Sequence, residues 1–107
     1  MAAKLKALAA RSPVVAVTGP RQSGKTTLVR GAFPGYKYVS LENLDTREFA
    51  LRDPRLFLAQ YGAPAIFDEI QRVPSLLSYI QTIVDDSGRN GMFILTGSNN
   101  LGVATFW

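Results

Sequence analysis

Short apolar runs alternate with helical patterns along the chain. "PVVAVTG" is β-branched, uncharged and closed by glycine, the signature of a buried strand. A short helix is expected from about Lys25 to Arg30, stopped by Gly31 and the Pro34-Gly35 turn. "YKYVSLEN" predicts a second strand. Asp45 is then placed to cap a helix, with Glu48 three residues on completing a capping box. Asp53-Pro54 interrupts that helix and restarts it with Pro54 in the first helical position, and Gly62 ends it. "APAIFDEI" predicts a third strand, with Pro64 tolerable only near its start. Pro74 opens a helix whose Leu76, Leu77, Ile80, Ile83 and Val84 share one face, and Gly88 ends it. "GMFILTGS" predicts a fourth strand.

The resulting order is β-α-β-α-β-α-β. Continuous apolar strands separated by helices predict a parallel sheet covered on both faces, in three layers. Ligands of such sheets bind at the carboxyl ends of the strands. The residues that follow the first, third and fourth strands therefore carry the functional reading. The opening "MAAKLKALAA" lacks the continuous apolar stretch of a targeting peptide and reads as an amphipathic helix packed on the domain.

Composition narrows the chemistry. At 107 residues the chain holds one domain or part of one. No apolar run approaches the roughly 18 residues that span a bilayer, so no membrane partner is expected. The absence of cysteine removes disulfides and thiolate zinc sites and fits a cytoplasmic setting. The absence of histidine is more restrictive: it excludes histidine triads, metal sites and general bases, leaving carboxylates, lysine or tyrosine for acid–base work. Net charge is +4, but the basic residues are scattered from Lys4 to Arg89. That pattern favours a solvated surface plus one phosphate site over a nucleic-acid groove.

After the first strand, Gly19, Gly24, Lys25 and Thr26 match G-x-x-x-x-G-K-[ST] within "TGPRQSGKTT". Glycines allow a tight turn and close approach to an anion, and successive N–H groups then point inward as a nest. The helix beginning near Lys25 adds its positive dipole end. Lys25 supplies a mobile charge for the β- and γ-phosphates, and Thr26 a hydroxyl for Mg²⁺. By average residue usage, a chain of this length matches the pattern by chance on the order of once in a few hundred cases.

After the third strand come Asp68 and Glu69. A carboxylate pair ending a buried strand is costly unless a cation compensates. Asp68 is placed to hold Mg²⁺, directly or through water, and Glu69 to orient and deprotonate an attacking water. After the fourth strand, "LTGSNN" offers Thr96, Ser98, Asn99 and Asn100. If that strand lies between the first and third, one of these contacts the γ-phosphate or the water. Ser98 is preferred, then Asn99 and Thr96; a plain polar turn is the alternative.

Together, "GPRQSGKTTL", "IFDEIQRVPSLL" and "FILTGS" resemble the Walker A, Walker B and sensor-1 segments of AAA+-type P-loop ATPases. The resemblance spans roughly residues 11 to 99 and is nearest to a prokaryotic group that pairs an ATPase core with a C-terminal domain of uncertain function. It implies strand order 5-1-4-3-2 and ATP hydrolysis with Mg²⁺. By motif match Gly19, Pro20, Arg21, Gln22, Ser23, Gly24, Lys25, Thr26 and Thr27 bind phosphates, with Asp68 at the metal. Glu69 is the catalytic base, and Ser98 or a neighbour the sensor. The preference for ATP over GTP rests on this resemblance.

After Ser98 the chain reads "NNLGVATFW". The fifth strand, lid, arginine finger and C-terminal domain of such ATPases are not assignable, and Arg72 and Arg89 read as surface residues. The expectation is a truncated core, strands one to four, with the first strand a bare edge inviting self-association. Turnover alone is expected to be slow or absent. Two other readings are a non-catalytic nucleotide switch and a DNA-associated ATPase of helicase-loader type.

Overall fold

The computed structural model describes residues 2–19 and 24–98, together with the backbone of 103–106. In order, the elements are α1 (Ala2–Ala9), β1 (Val14–Thr18), α2 (Lys25–Ala32), β2 (Lys37–Ser40), α3 (Leu44–Arg52), α4 (Pro54–Gln60), β3 (Ala65–Asp68), α5 (Leu76–Ser87), β4 (Phe93–Gly97) and β5 (Val103–Phe106). A 3₁₀ turn, Ile70–Arg72, follows β3.

The sheet order is β2-β3-β4-β1-β5. The β2-β3, β3-β4 and β4-β1 pairings are parallel, as the alternation of elements predicts. β4 thus lies between β1 and β3, the condition on which its polar end joins the other two.

Side-chain alternation divides the core into two layers. Val15, Val17, Ile66 and Ile94 meet Leu5 and Ala9 of α1 and Val29 and Ala32 of α2 on one face. Val14, Ala16, Val39, Phe67, Phe93 and Leu95 meet α3, α4 and α5 on the other. There Phe67 stacks on Phe93 at 5.5 Å and meets Phe57 at 5.6 Å. The N-terminal segment is the packed amphipathic helix expected, with Leu5 fully buried.

Several local expectations are corrected. Asn43, not Asp45, caps α3: its Oδ1 accepts the Thr46 N–H at 3.1 Å. Asp45 falls in the first turn, where a carboxylate favours the positive end of the helix dipole. Gly31 does not stop α2, which runs to Ala32 because Ala32 and Phe33 both bury. That burial outweighs the roughly 1 kcal/mol cost of an interior glycine. α5 begins at Leu76; Pro74 sits in the preceding turn, where its carbonyl accepts the Leu77 N–H at 3.1 Å. The expected fine points at Asp53-Pro54 and Gly88 are present, with Asp53 accepting the Leu56 N–H and Gly88 in the left-handed conformation (φ 67°).

The largest correction concerns the edge. β1 is not bare: β5 pairs with it antiparallel, from Val14↔Phe106 to Val17↔Val103. A parallel fifth strand needs a crossover of about a dozen residues or more. The connection from Gly97 to Val103 is far shorter and permits only an antiparallel return. β5 thereby satisfies the outer hydrogen-bonding row of β1.

Candidate functional site

The carboxyl ends of β1, β3 and β4 and the start of α2 converge. Gly19 leaves β1 with its N–H on the Gly97 carbonyl at 3.1 Å, tying the start of the glycine loop to the end of β4. Gly24, at φ 78°, turns the chain into α2 in a conformation only glycine adopts readily. Pro20, Arg21, Gln22 and Ser23 lie outside the described residues, as do Asn99 and Asn100.

Lys25, first in α2, is buried, and its Nζ lies 3.4 Å from Glu69 Oε2 and 3.5 Å from Ser98 Oγ. Thr26 places its hydroxyl 3.2 Å from both Asp68 carboxylate oxygens. Thr27 is exposed and lines an open cavity of about 550 Å³ with Arg30 and Tyr38.

Asp68 ends β3 on the sheet face that carries Ile66, the face covered by α2. It also accepts the Thr96 hydroxyl on Oδ1 and the Tyr38 hydroxyl on Oδ2, the latter at 2.5 Å. Tyr38 was not foreseen. It lies two residues before Ser40, the β2 partner of Asp68. Two residues of strand span about 6.6 Å, a length that the phenol side chain bridges. Burial first, then the hydrogen bond and charge of Asp68, push its phenol up to about 12, against smaller opposing effects of Ser40 and Arg30.

Glu69 leaves the strand in the left-handed conformation (φ 60°, ψ 54°), rare for a residue with a Cβ and of the kind that clusters at functional sites. Its N–H donates to Thr96 Oγ1 at 2.9 Å. Its Oε1 accepts the Ser98 hydroxyl at 2.5 Å and the Gln71 amide at 2.6 Å. Gln71 was also unforeseen; the 3₁₀ turn folds it back on Glu69. Burial pushes the Glu69 carboxyl up, but Ser98, Gln71 and the Lys25 charge together outweigh it and leave it below the ordinary glutamate value.

Thr96 therefore spends its proton on Asp68 and its lone pair on Glu69, linking the two acids. Arg72 and Arg89 stand apart from this cluster: Arg72 lies 3.9 Å from Glu42, and Arg89 donates to Ser87. Among the described residues, the buried polar side chains are Lys25, Asp68, Glu69 and Thr96. Among the described residues, two buried carboxylates thus face one buried ammonium. No group of three or more acidic, histidine or cysteine side chains gathers among the described residues. Nor, among them, is any helix long and apolar enough to cross a membrane.

The sequence profile of the AAA domain family matches residues 11–105. The chain belongs to that family of ATPase-like nucleotide-binding domains, and its parallel four-strand sheet is consistent with that fold. Two curated proteins are similar: the uncharacterized protein Mb2031c of Mycobacterium bovis and the uncharacterized protein Rv2008c of Mycobacterium tuberculosis. Each is 36% identical over 100 residues, which is 91% of this chain and 22% of the relative. The chain thus spans about a fifth of the length of these relatives. No solved structure matches it significantly.

Proposed function

We propose that the chain binds ATP with Mg²⁺ and hydrolyses it at the cluster formed by Gly19 to Thr27, Asp68, Glu69 and Ser98. The observation that carries this reading is the convergence of Lys25, Thr26, Asp68, Glu69 and Ser98, drawn from two strand ends and one helix start, within hydrogen-bonding or ion-pair distance.

Gly19, Pro20, Arg21, Gln22, Ser23 and Gly24 are the Walker A segment by motif, and the backbone N–H groups of its residues other than Pro20 would hold the phosphates. Lys25 leaves Glu69 partly and reaches the β- and γ-phosphates. Thr27 closes the phosphate-binding segment. The excess of buried carboxylates over buried cations among the described residues, and a hydroxyl equidistant from both Asp68 oxygens, fit Mg²⁺ held by Thr26 and by Asp68, directly or through water. Bound there, the ion would supply positive charge against the phosphates and against the charge that develops in the transition state. Glu69, which its lowered pKa keeps ionised, orients the attacking water and takes its proton. Ser98 bridges Glu69 and Lys25 and reports the γ-phosphate to the base.

The domain works as part of a larger ATPase of the group that carries a C-terminal domain. An arginine finger contributes about 10³ to 10⁵ in rate, and Arg72 and Arg89 are engaged away from the site. Turnover by residues 1–107 alone is therefore slow, and a neighbouring subunit or a further segment supplies the finger.

The test is a titration with a fluorescent ATP analogue and Mg²⁺, followed by phosphate release. Saturable binding that Lys25→Ala abolishes, with slow release lost in Glu69→Gln, is the expected result. Binding indifferent to Lys25 would overturn the reading. Binding without any Glu69-dependent release would reduce it to a nucleotide switch.

A further inference from the structure

Asp68 carries three hydroxyl donors, and they are not equivalent. Thr96 donates to Oδ1 only and Tyr38 to Oδ2 only, while Thr26 lies 3.2 Å from both. A carboxylate offers about four lone-pair sites, two on each oxygen. Tyr38 and Thr96 therefore each occupy one oxygen separately, and the position shared between the two oxygens faces Thr26.

The Tyr38 ring is itself held. Its backbone is fixed in the β2-β3 ladder opposite Ile66, and the Arg30 guanidinium lies over the ring at 4.3 Å from its centroid. The phenol hydroxyl donates to Asp68 Oδ2 at 2.5 Å, since an ionised carboxylate can only accept. Without it, Oδ2 would keep, among the described residues, the shared, longer contact from Thr26, and the carboxylate could rotate away from that residue. Thr96 holds the opposite oxygen and also anchors the Glu69 N–H, so among the hydroxyls described at Asp68 it does not duplicate this restraint.

We propose that Tyr38 is a positioning residue for the metal: its hydroxyl fixes the Asp68 carboxylate so that its open edge meets Thr26 across the Mg²⁺ position. This rests on the Mg-ATP reading above. Outer-sphere hydrogen bonds of this kind commonly change metal affinity by about 10- to 100-fold when removed. Tyr38→Phe removes the hydroxyl and leaves the ring under Arg30.

The experiment titrates Mg²⁺ at a fixed concentration of fluorescent ATP analogue, for the wild-type chain and Tyr38→Phe. Analogue affinity in EDTA and the melting temperature in EDTA are measured alongside. The expected result is a Mg²⁺ half-saturation raised by about tenfold or more, with the two EDTA measurements unchanged. An unchanged half-saturation in Tyr38→Phe, beside a wild type that shows Mg²⁺-dependent binding, overturns the role of Tyr38 alone. An equal loss of analogue affinity in EDTA, or a Tyr38→Phe chain that does not fold, assigns the hydroxyl to general structure and also overturns it. A wild type without Mg²⁺-dependent binding overturns the Mg-ATP reading itself, and this inference with it.

Discussion

The Lys25 ammonium lies 3.4 Å from the Glu69 carboxylate, and both side chains are almost fully withdrawn from solvent. The residue proposed to hold phosphate is therefore also the counter-charge of the proposed base. Removing it leaves two buried carboxylates, Asp68 and Glu69, with no buried cation beside them among the described residues. Lys25→Ala is expected to abolish nucleotide binding and to destabilise the nucleotide-free fold by about 1–3 kcal/mol. Urea denaturation without nucleotide checks the second effect separately from the first.

Glu69→Gln keeps the shape and removes the charge. The Lys25 ion pair is lost, but so is one of two buried negative charges. Binding of the ATP analogue is expected to persist, while phosphate release falls by about 10² to 10⁴, the usual contribution of a general base. Single-turnover measurement with saturating nucleotide distinguishes the two effects. A variant that releases phosphate at the wild-type rate would remove Glu69 from the chemistry.

The same residue shapes the acid limb of stability in the metal-free, nucleotide-free protein. Its folded-state pKa lies below the ordinary glutamate value of 4.5, because Ser98, Gln71 and Lys25 together outweigh the upward push of burial. The unfolded chain therefore binds a proton first as pH falls. The stabilisation from ionised Glu69 is fully present above 4.5 and is lost as pH falls through the lowered folded value. Unfolding free energies of wild type and Glu69→Gln, measured by urea at stepped pH, should converge as pH drops through that window. A constant offset across it would mean Glu69 titrates alike in both states.

Much of the fold was readable because its signals are local. Each strand of the parallel sheet is a short apolar run, and Gly24-Lys25-Thr26 sits where a strand must turn into a helix. What escaped the sequence depends on neighbours it does not print. Tyr38 reaches Asp68 only because β2 lies beside β3 with Ser40 opposite Asp68. Gln71 reaches Glu69 only because Glu69 turns left-handed, a conformation its residue type disfavours. The fifth strand was not assignable because "VATF" is a short run whose strand character depends on its antiparallel pairing with β1. Asn43 lost to Asp45 as the expected cap because both are good capping residues two positions apart, and only the observed helix start at Leu44 separates them.

Gly91 gives a stability prediction independent of nucleotide. It has φ 66°, and a Cβ there would stand 3.0 Å from the Tyr36 hydroxyl and 3.1 Å from the Ala9 carbonyl oxygen. The Tyr36 hydroxyl also donates to the Gly91 carbonyl at 2.6 Å. The phenol could swing aside only by losing that bond, and the Ala9 carbonyl could shift only with the end of α1. A left-handed backbone alone costs a non-glycine residue roughly 1–2 kcal/mol, so Gly91→Ala is expected to destabilise by about 2 kcal/mol or more. Asparagine tolerates the left-handed region better than alanine, yet carries the same Cβ. Gly91→Asn should therefore remain destabilised by the contact. Gly88 separates the two causes: it has φ 67° but nothing within 4 Å of its Cβ position. Gly88→Asn, at a helix end that accepts asparagine, should change stability by less than about 1 kcal/mol. Urea denaturation of the three variants decides the matter. Equal losses in Gly91→Asn and Gly88→Asn would place the cost in the backbone angle and remove the packing of Gly91 against α1 as its cause.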